Sequence, residues 1–311
     1  MINKIYEKHT IYFWFLSLAL ASLTFFISKN FLFSDNLIIP LVCLFLILTI
    51  GISHGALDNI KARKILKIYK INNKSIFYIV YVIISIIVIF FWILFPSLIL
   101  LFFLLIASYH FGKEDTYFIN KNNSNFDQFF YLLKGSLIIS APLFCNINET
   151  LKIFETIYLN EKILFFISDK HWVVTIFLGL STFGYFYFLI KNNFFKFKIL
   201  FLDIWSILII NVFFPPLIAF TLYFCFLHSI RHTISLANDL DSKNFKNGIK
   251  LFVKKALPLT AITGVLYLIA ITFLSDSYEI DRAILKTIFI GLASLTFPHI
   301  LLEYIINKNE K

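Results

Sequence analysis

Seven histidines occur in this 311-residue chain, and five of them, His54, His110, His228, His232 and His299, fall within or at the edge of long apolar runs. An ionisable group inside hydrocarbon is costly, so each of the five is a candidate functional residue. In the stretch FLHSIRH, His228 and His232 stand at i and i+4, which sets two imidazoles one helical turn apart on a shared face. The same spacing serves helical His-x-x-x-His metal sites. The competing reading is that each ring simply hydrogen-bonds a neighbouring helix, as polar side chains in membrane bundles do. Cys43, Cys145 and Cys225 are isolated and form no CxxC, so neither a disulfide framework nor a thiolate metal site is expected. An all-imidazole set suits zinc, copper, iron or nickel. Neutral ligands with room for exogenous ones fit oxygen binding at iron better than a closed structural zinc site.

Carboxylates follow the histidines at short range: Asp58 four residues after His54, Asp115 five after His110, and Glu303 four after His299. An acid one turn away can accept the second ring N–H and fix the tautomer. Asp58, within HGALD, is the candidate for that role, whereas Asp115 and Glu303 read as the start of the aqueous interface. Arg231, between the paired histidines, is equally able to snorkel to the interface. His9 and His171 read as terminal and interfacial residues without a site role. Gly55 and Gly112 adjoin two of the histidine motifs, where small residues permit close helix approach or access for a flat ligand.

The elements that must position these residues are membrane helices. The chain is 59% hydrophobic and only 15% charged, where a soluble domain carries about 25% charged residues. Apolar segments at 11–28, 37–56, 76–95, 97–112, 128–146, 171–190, 199–214, 216–235, 256–275 and 283–306 are long enough to span or nearly so. Pro215 and Pro216 interrupt the run from 199 to 233, so its first half is either a span or re-entrant, and the count is eight to ten helices. No repeat, soluble domain or cleavable leader is evident; residues 1–311 read as one all-α integral-membrane domain.

Loop charge alternates. Lysines and arginines gather at the N-terminus, in 57–75, in 191–198, in 236–255 and at the C-terminus, while Glu149, Glu155, Glu161 and Asp169, and then Asp276, Glu279 and Asp281, occupy the intervening loops. This is a positive-inside pattern for a bacterial inner (cytoplasmic) membrane with both termini cytoplasmic. It accounts for the net charge of +10 without nucleic acid. In this topology the five histidines sit near the ends of helices that all run inward. They therefore share one layer in the cytoplasmic half of the bilayer.

The motifs SHGALD (Ser53 to Asp58), YHFGKED (Tyr109 to Asp115), FLHSIRH (Phe226 to His232) and FPHILLEY (Phe297 to Tyr304) together resemble the Brp/Blh family of membrane-integral β-carotene 15,15′-dioxygenases, which supply retinal to microbial rhodopsins. The resemblance runs from the second span to the last. It implies Fe(2+) held by His54, His110, His228 and His232, with Asp58 and His299 in supporting positions. It also implies a membrane-dissolved carotenoid and O₂ as reactants, with cleavage of the central 15,15′ double bond to two retinals. A metal or proton transporter is the alternative, resting on Asp203 and the 199–233 break. A di-iron desaturase would need more clustered histidines than occur here.

Overall fold

A computed structural model describes residues 2–26, 37–118, 124–192 and 194–309. Helices form throughout, and no strand occurs among the described residues. In hydrocarbon every backbone polar group must be satisfied within its own segment, which leaves the helix as the available spanning element for a chain of this pattern. Among the described residues, eight helices are long and apolar enough to cross a membrane, at the lower end of the expected count. The protein is a multi-pass helical bundle.

In chain order the elements are α1 (Ile2–Phe26), α2 (Ile38–Leu46), α3 (Asp58–Ile68), α4 (Ser75–Leu94), α5 (Pro96–Tyr117), α6 (Asn125–Gly135), α7 (Leu137–Cys145), α8 (Ile147–Thr156), α9 (Glu161–Asp169) and α10 (His171–Lys191). They continue with α11 (Phe194–Phe213), α12 (Pro216–Leu222), α13 (Ile230–Leu240), α14 (Phe245–Ser275) and α15 (Ile280–Asn309). Several bounds differ from the sequence reading. The acidic stretch 147–169, read as a loop, folds into α8 and α9, and Glu149 and Glu161 each lie in a first turn, where a negative charge complements the helix dipole. The helix read from the apolar segment 97–112 continues to Tyr117, and the next begins at Asn125, ahead of the segment read from 128. The proline pair separates two helices: α11 ends at Phe213, and Pro216 opens α12 at a position that needs no N–H. Asn146 holds this break by donating to the carbonyls of Asn211 (2.7 Å) and Phe214 (3.2 Å).

Two irregular stretches interrupt otherwise regular spans. Between α2 and α3 the chain passes through a π turn (Ile47–Gly51) and a 3₁₀ turn (Ile52–Leu57), and between α12 and α13 through a π stretch (Tyr223–Ser229). Departures of this kind gather at functional sites. The two pack on each other. Ser229 donates to the Gly51 carbonyl at 2.8 Å, and a Cβ on Gly51 would meet the Phe224 ring at 2.6 Å.

Close helix crossing is allowed by glycine at the α5–α6 contact. A Cβ on Gly112 would lie 1.8 Å from the Tyr131 carbonyl oxygen, so no other residue fits there without moving a helix. Gly55 is the opposite case, with nothing within 4 Å of a Cβ. Of the two uses read for glycine from the sequence, Gly112 serves helix approach and Gly55 stands in open space.

The outward faces of α4 and α14 remain apolar and exposed, as with Ile83, Ile86, Val265 and Leu268. This is the surface that lipid covers.

Candidate metal centre and apolar cavity

His110, His228, His232 and His299 are brought together, each 7% exposed or less. Ring centres of His110 and His228 are 5.3 Å apart, those of His110 and His299 5.2 Å, and those of His232 and His299 5.9 Å. An imidazole that ligates through one nitrogen at about 2.1 Å puts its ring centre about 3 Å from the ion, so rings sharing an ion stand about 5 Å apart. The three spacings are near that figure and link His228, His110, His299 and His232 in that order. His54 lies in the 3₁₀ turn beside this cluster in sequence, but its side chain is outside the described residues. His171 opens α10 on an exposed surface. His9, set aside in the sequence reading, reaches across the bundle to the Phe226 carbonyl at 2.8 Å.

Each clustered histidine faces a carboxylate. His228 Nδ1 is 3.0 Å from Asp115, which also accepts the Tyr223 hydroxyl at 2.6 Å. His299 Nδ1 is 2.8 Å from Asp58, which is in turn held by Tyr81 at 3.3 Å. His232 Nδ1 lies 3.3 Å from Glu114. Glu303 sits among three of the rings, 3.6 Å from His110 Nδ1, 3.6 Å from His299 Nε2 and 4.0 Å from His232 Nε2. Lys61 completes the group, donating to Glu303 at 2.7 Å and to His232 Nε2 at 3.2 Å.

Several of these placements differ from the sequence reading. Asp58 contacts His299 on α15, a partner that its spacing from His54 did not suggest. Asp115 and Glu303 do not begin an aqueous interface: Asp115 is 3% exposed, and Glu303 lies inside the cluster. Arg231 does not snorkel. It is buried, with both terminal nitrogens on Asp203 (2.7 and 2.6 Å) and one also on Thr10 (2.7 Å). Asp203, read as possible support for a transporter, is committed to that pair. Lys61 and Glu114, which the sequence shows only as a loop charge and a motif residue, both join the cluster. The spacing of Glu303, four residues after His299, pointed to this role although it was read as interfacial; nothing local pointed to Lys61.

Two sets of donor atoms, from His110, His299 and Glu303 and from Glu114, His232 and Glu303, each fall within 4.8 Å of one another. Imidazole nitrogens with carboxylate oxygens and no thiolate suit a divalent transition metal such as iron or zinc. The two Asp–His pairs add the outer hydrogen bonds that metal-binding imidazoles ordinarily have.

One face of the cluster is the end wall of a cavity of about 910 Å³, lined there by Gly55, His110, Phe111, Phe224, His228 and His299. Phe111 and Phe224 also pack against the His228 ring, with centres at 4.7 and 5.9 Å. The cavity then runs along α15 between α4 and α14. Both helices pack on α15 and scarcely meet each other. Exposed apolar residues of each, Ile86 and Ile89 on one side and Ile262 and Leu266 on the other, line the cavity as well. It therefore opens sideways, toward the hydrocarbon.

Fold and site together define a polytopic helical membrane protein with a histidine–carboxylate cluster at the end of an apolar, laterally open cavity. Residues 45–307 match the β-carotene 15,15′-dioxygenase family, and the chain belongs to it. It is also similar to the β-carotene 15,15′-dioxygenase of the uncultured marine bacterium 66A03, at 37% identity over 100 residues, which make up 30% of this chain and 34% of that protein. The match thus spans about a third of the relative's length. No solved structure matches the chain.

Proposed function

We propose that this protein is a carotenoid 15,15′-dioxygenase that cleaves β-carotene at its central double bond with O₂, giving two retinals. The observation that carries the reading is a cluster of buried histidines, three of which, His110, His228 and His299, form the end wall of a hydrocarbon-lined cavity, with His232 beside His299. Family membership supports the same activity. A cavity of about 910 Å³ is at the upper end of the range for small-molecule sites, as a forty-carbon polyene requires.

Iron(II) is the metal of this reading, held by His110, His228, His232 and His54, with His299 and Glu303 close enough to contribute. When bound, it supplies Lewis-acid activation of O₂. The chain's own part is positional. Asp115 accepts the Nδ1–H of His228 and Asp58 that of His299, which fixes each tautomer and presents the Nε2 edge. Tyr223 and Tyr81 hold the two aspartates in place. Phe111 and Phe224 keep the His228 side of the cavity apolar and exclude water. Substrate dissolved in the bilayer reaches the cavity between α4 and α14 without crossing water. The membrane is the bacterial inner membrane, with the basic loops and both termini cytoplasmic, and a microbial rhodopsin is the fitting consumer of the retinal.

Expression in carotenoid-producing bacteria tests this directly. Cells should lose colour and accumulate retinal, the purified protein should carry about one iron per chain, and a chelator should abolish turnover until iron is returned. Orange cells containing folded, iron-loaded protein would refute it.

A further inference from the structure

The slot between α4 and α14 has a basic lip at its histidine end. On α4 the cavity is lined by Tyr78, Val82, Ser85 and Ile89, a stripe of three- and four-residue steps along one helix face. The next position back is Lys74, four residues before Tyr78, where the backbone is already helical (φ −68°, ψ −23°). On α14 the stripe is Leu259, Thr263, Leu266 and Ala270, and Lys255 stands four residues before Leu259. Both helices start at this end of the slot. Side chains on a helix lean toward its N-terminus, so both lysines, which are exposed, lean out of the slot.

Helix α3 closes the frame. Asn59 in its first turn donates to the Tyr78 hydroxyl at 2.9 Å, and Leu57 just before it is buried with Phe252 and Ala256 of α14. Beyond that turn α3 carries the exposed Arg63 and Lys67. Helix α14 adds the exposed Lys250 and Lys254. Its 31 residues run about 46 Å, where hydrocarbon is about 30 Å thick, and these lysines occupy the excess turns.

No acid answers this charge within the frame. From Asn59 to Lys113 and from Ser242 to Ser275 the chain contains neither Asp nor Glu. The acids that bound the two stretches are engaged. Asp58 is held by His299 and Tyr81, and Asp241 by the Asn247 side chain and the backbone N–H groups of Lys243 and Asn244. Two residues beyond Lys74 and Lys255 the surface turns apolar, with Ile76 and Leu257 exposed.

Fixed cations above an exposed apolar surface match an amphiphile with an anionic head. We propose that this lip binds an anionic phospholipid, its headgroup phosphate on Lys74, Lys255 and their neighbours and an acyl chain along the mouth of the slot. The inference rests on the multi-pass fold and stands or falls apart from the carotenoid reading.

The test is lipid retention. Purified full-length protein in detergent micelles is mixed with equimolar phosphatidylglycerol and phosphatidylcholine of the same acyl chains, and the lipid it keeps is read by native mass spectrometry. A lysine near an anionic lipid strengthens attachment about fivefold, so the two lip lysines together account for about twenty-five-fold. Wild type should keep phosphatidylglycerol over phosphatidylcholine by at least that ratio, and joint Lys74→Gln and Lys255→Gln should lower it about twenty-five-fold. Joint Lys74→Arg and Lys255→Arg should preserve it, and a thermal melt of each variant guards against a folding defect. Joint Lys4→Gln and Lys8→Gln is the control for diffuse charge: both lysines are exposed on α1, which packs on α11 and α13, and the ratio should not move. Equal retention of the two lipids by wild type overturns the proposal, as does an equal loss in the α1 pair. Release of the lipid by inorganic phosphate, and not by chloride of the same ionic strength, makes this a free-anion site and overturns the lipid assignment.

Discussion

Gly112→Ala tests whether the helix crossing at α5 sets the geometry of the cluster. The added methyl would sit 1.8 Å from the Tyr131 carbonyl oxygen and 2.7 Å from its carbon, short of ordinary contact by about 1.5 Å. Both neighbours are backbone, so no side chain can turn aside, and α5 must retreat from α6 by most of that distance. His110 lies two residues before Gly112 and Asp115 three after, so both ends of the His110–His228–Asp115 group ride on the displaced segment. Overpacking of this kind costs about 1–3 kcal/mol. A misplacement of about 1 Å at a reacting centre lowers turnover by about 10²-fold. The assay is retinal formed per molecule of membrane-inserted protein in carotenoid-producing cells, together with a thermal melt of purified protein. Retinal should fall about a hundredfold while insertion persists and the melting temperature drops. Gly55→Ala provides the contrast, since a methyl there meets nothing within 4 Å, and its melting temperature should match wild type. A Gly112→Ala protein with wild-type melting and turnover refutes the reasoning.

Other substitutions read out separate parts of the site. Asp115→Asn exchanges the carboxylate facing His228 for an amide and should weaken iron binding about 10–100-fold, measured by metal titration; Asp58→Asn should do the same through His299. Glu303→Gln removes the negative charge shared by Lys61 and three imidazoles, and purified protein should retain markedly less iron; unchanged iron content would make Glu303 a structural residue. Asp203→Ala strands a buried guanidinium and should cost about 3–5 kcal/mol in a thermal or denaturant melt, whereas joining it with Arg231→Met should restore most of the loss.

Hydropathy and loop charge made the helical bundle legible, because spans in lipid must be both long and apolar. That four of the histidines would lie buried with partners was legible for the same reason: nothing but a partner or a ligand justifies them there. What could not be read was which acid serves which ring. Asp58 is close to His54 in sequence, yet it bonds His299 on the last helix, and consecutive residues Glu114 and Asp115 divide between His232 and His228. Such pairings depend on how helices are rotated and how closely they cross, which the glycine at 112 and the two π stretches decide. Local spacing carries no record of either. The i, i+4 spacing of His228 and His232 also loses its simple meaning, because His228 lies in the π stretch and the two rings face different acids. The short amphipathic helices α8 and α9 were missed because they fall below spanning length.

The slot between α4 and α14 has a kinetic corollary. A catalyst that takes its reactant from the plane of the bilayer responds to the mole fraction of that reactant among the lipids, not to its amount per volume of buffer. Apparent Michaelis constants measured in micelles should therefore rise in proportion to added detergent at fixed carotenoid, and a bilayer crowded with pigment should saturate the protein at nominal concentrations that look very small.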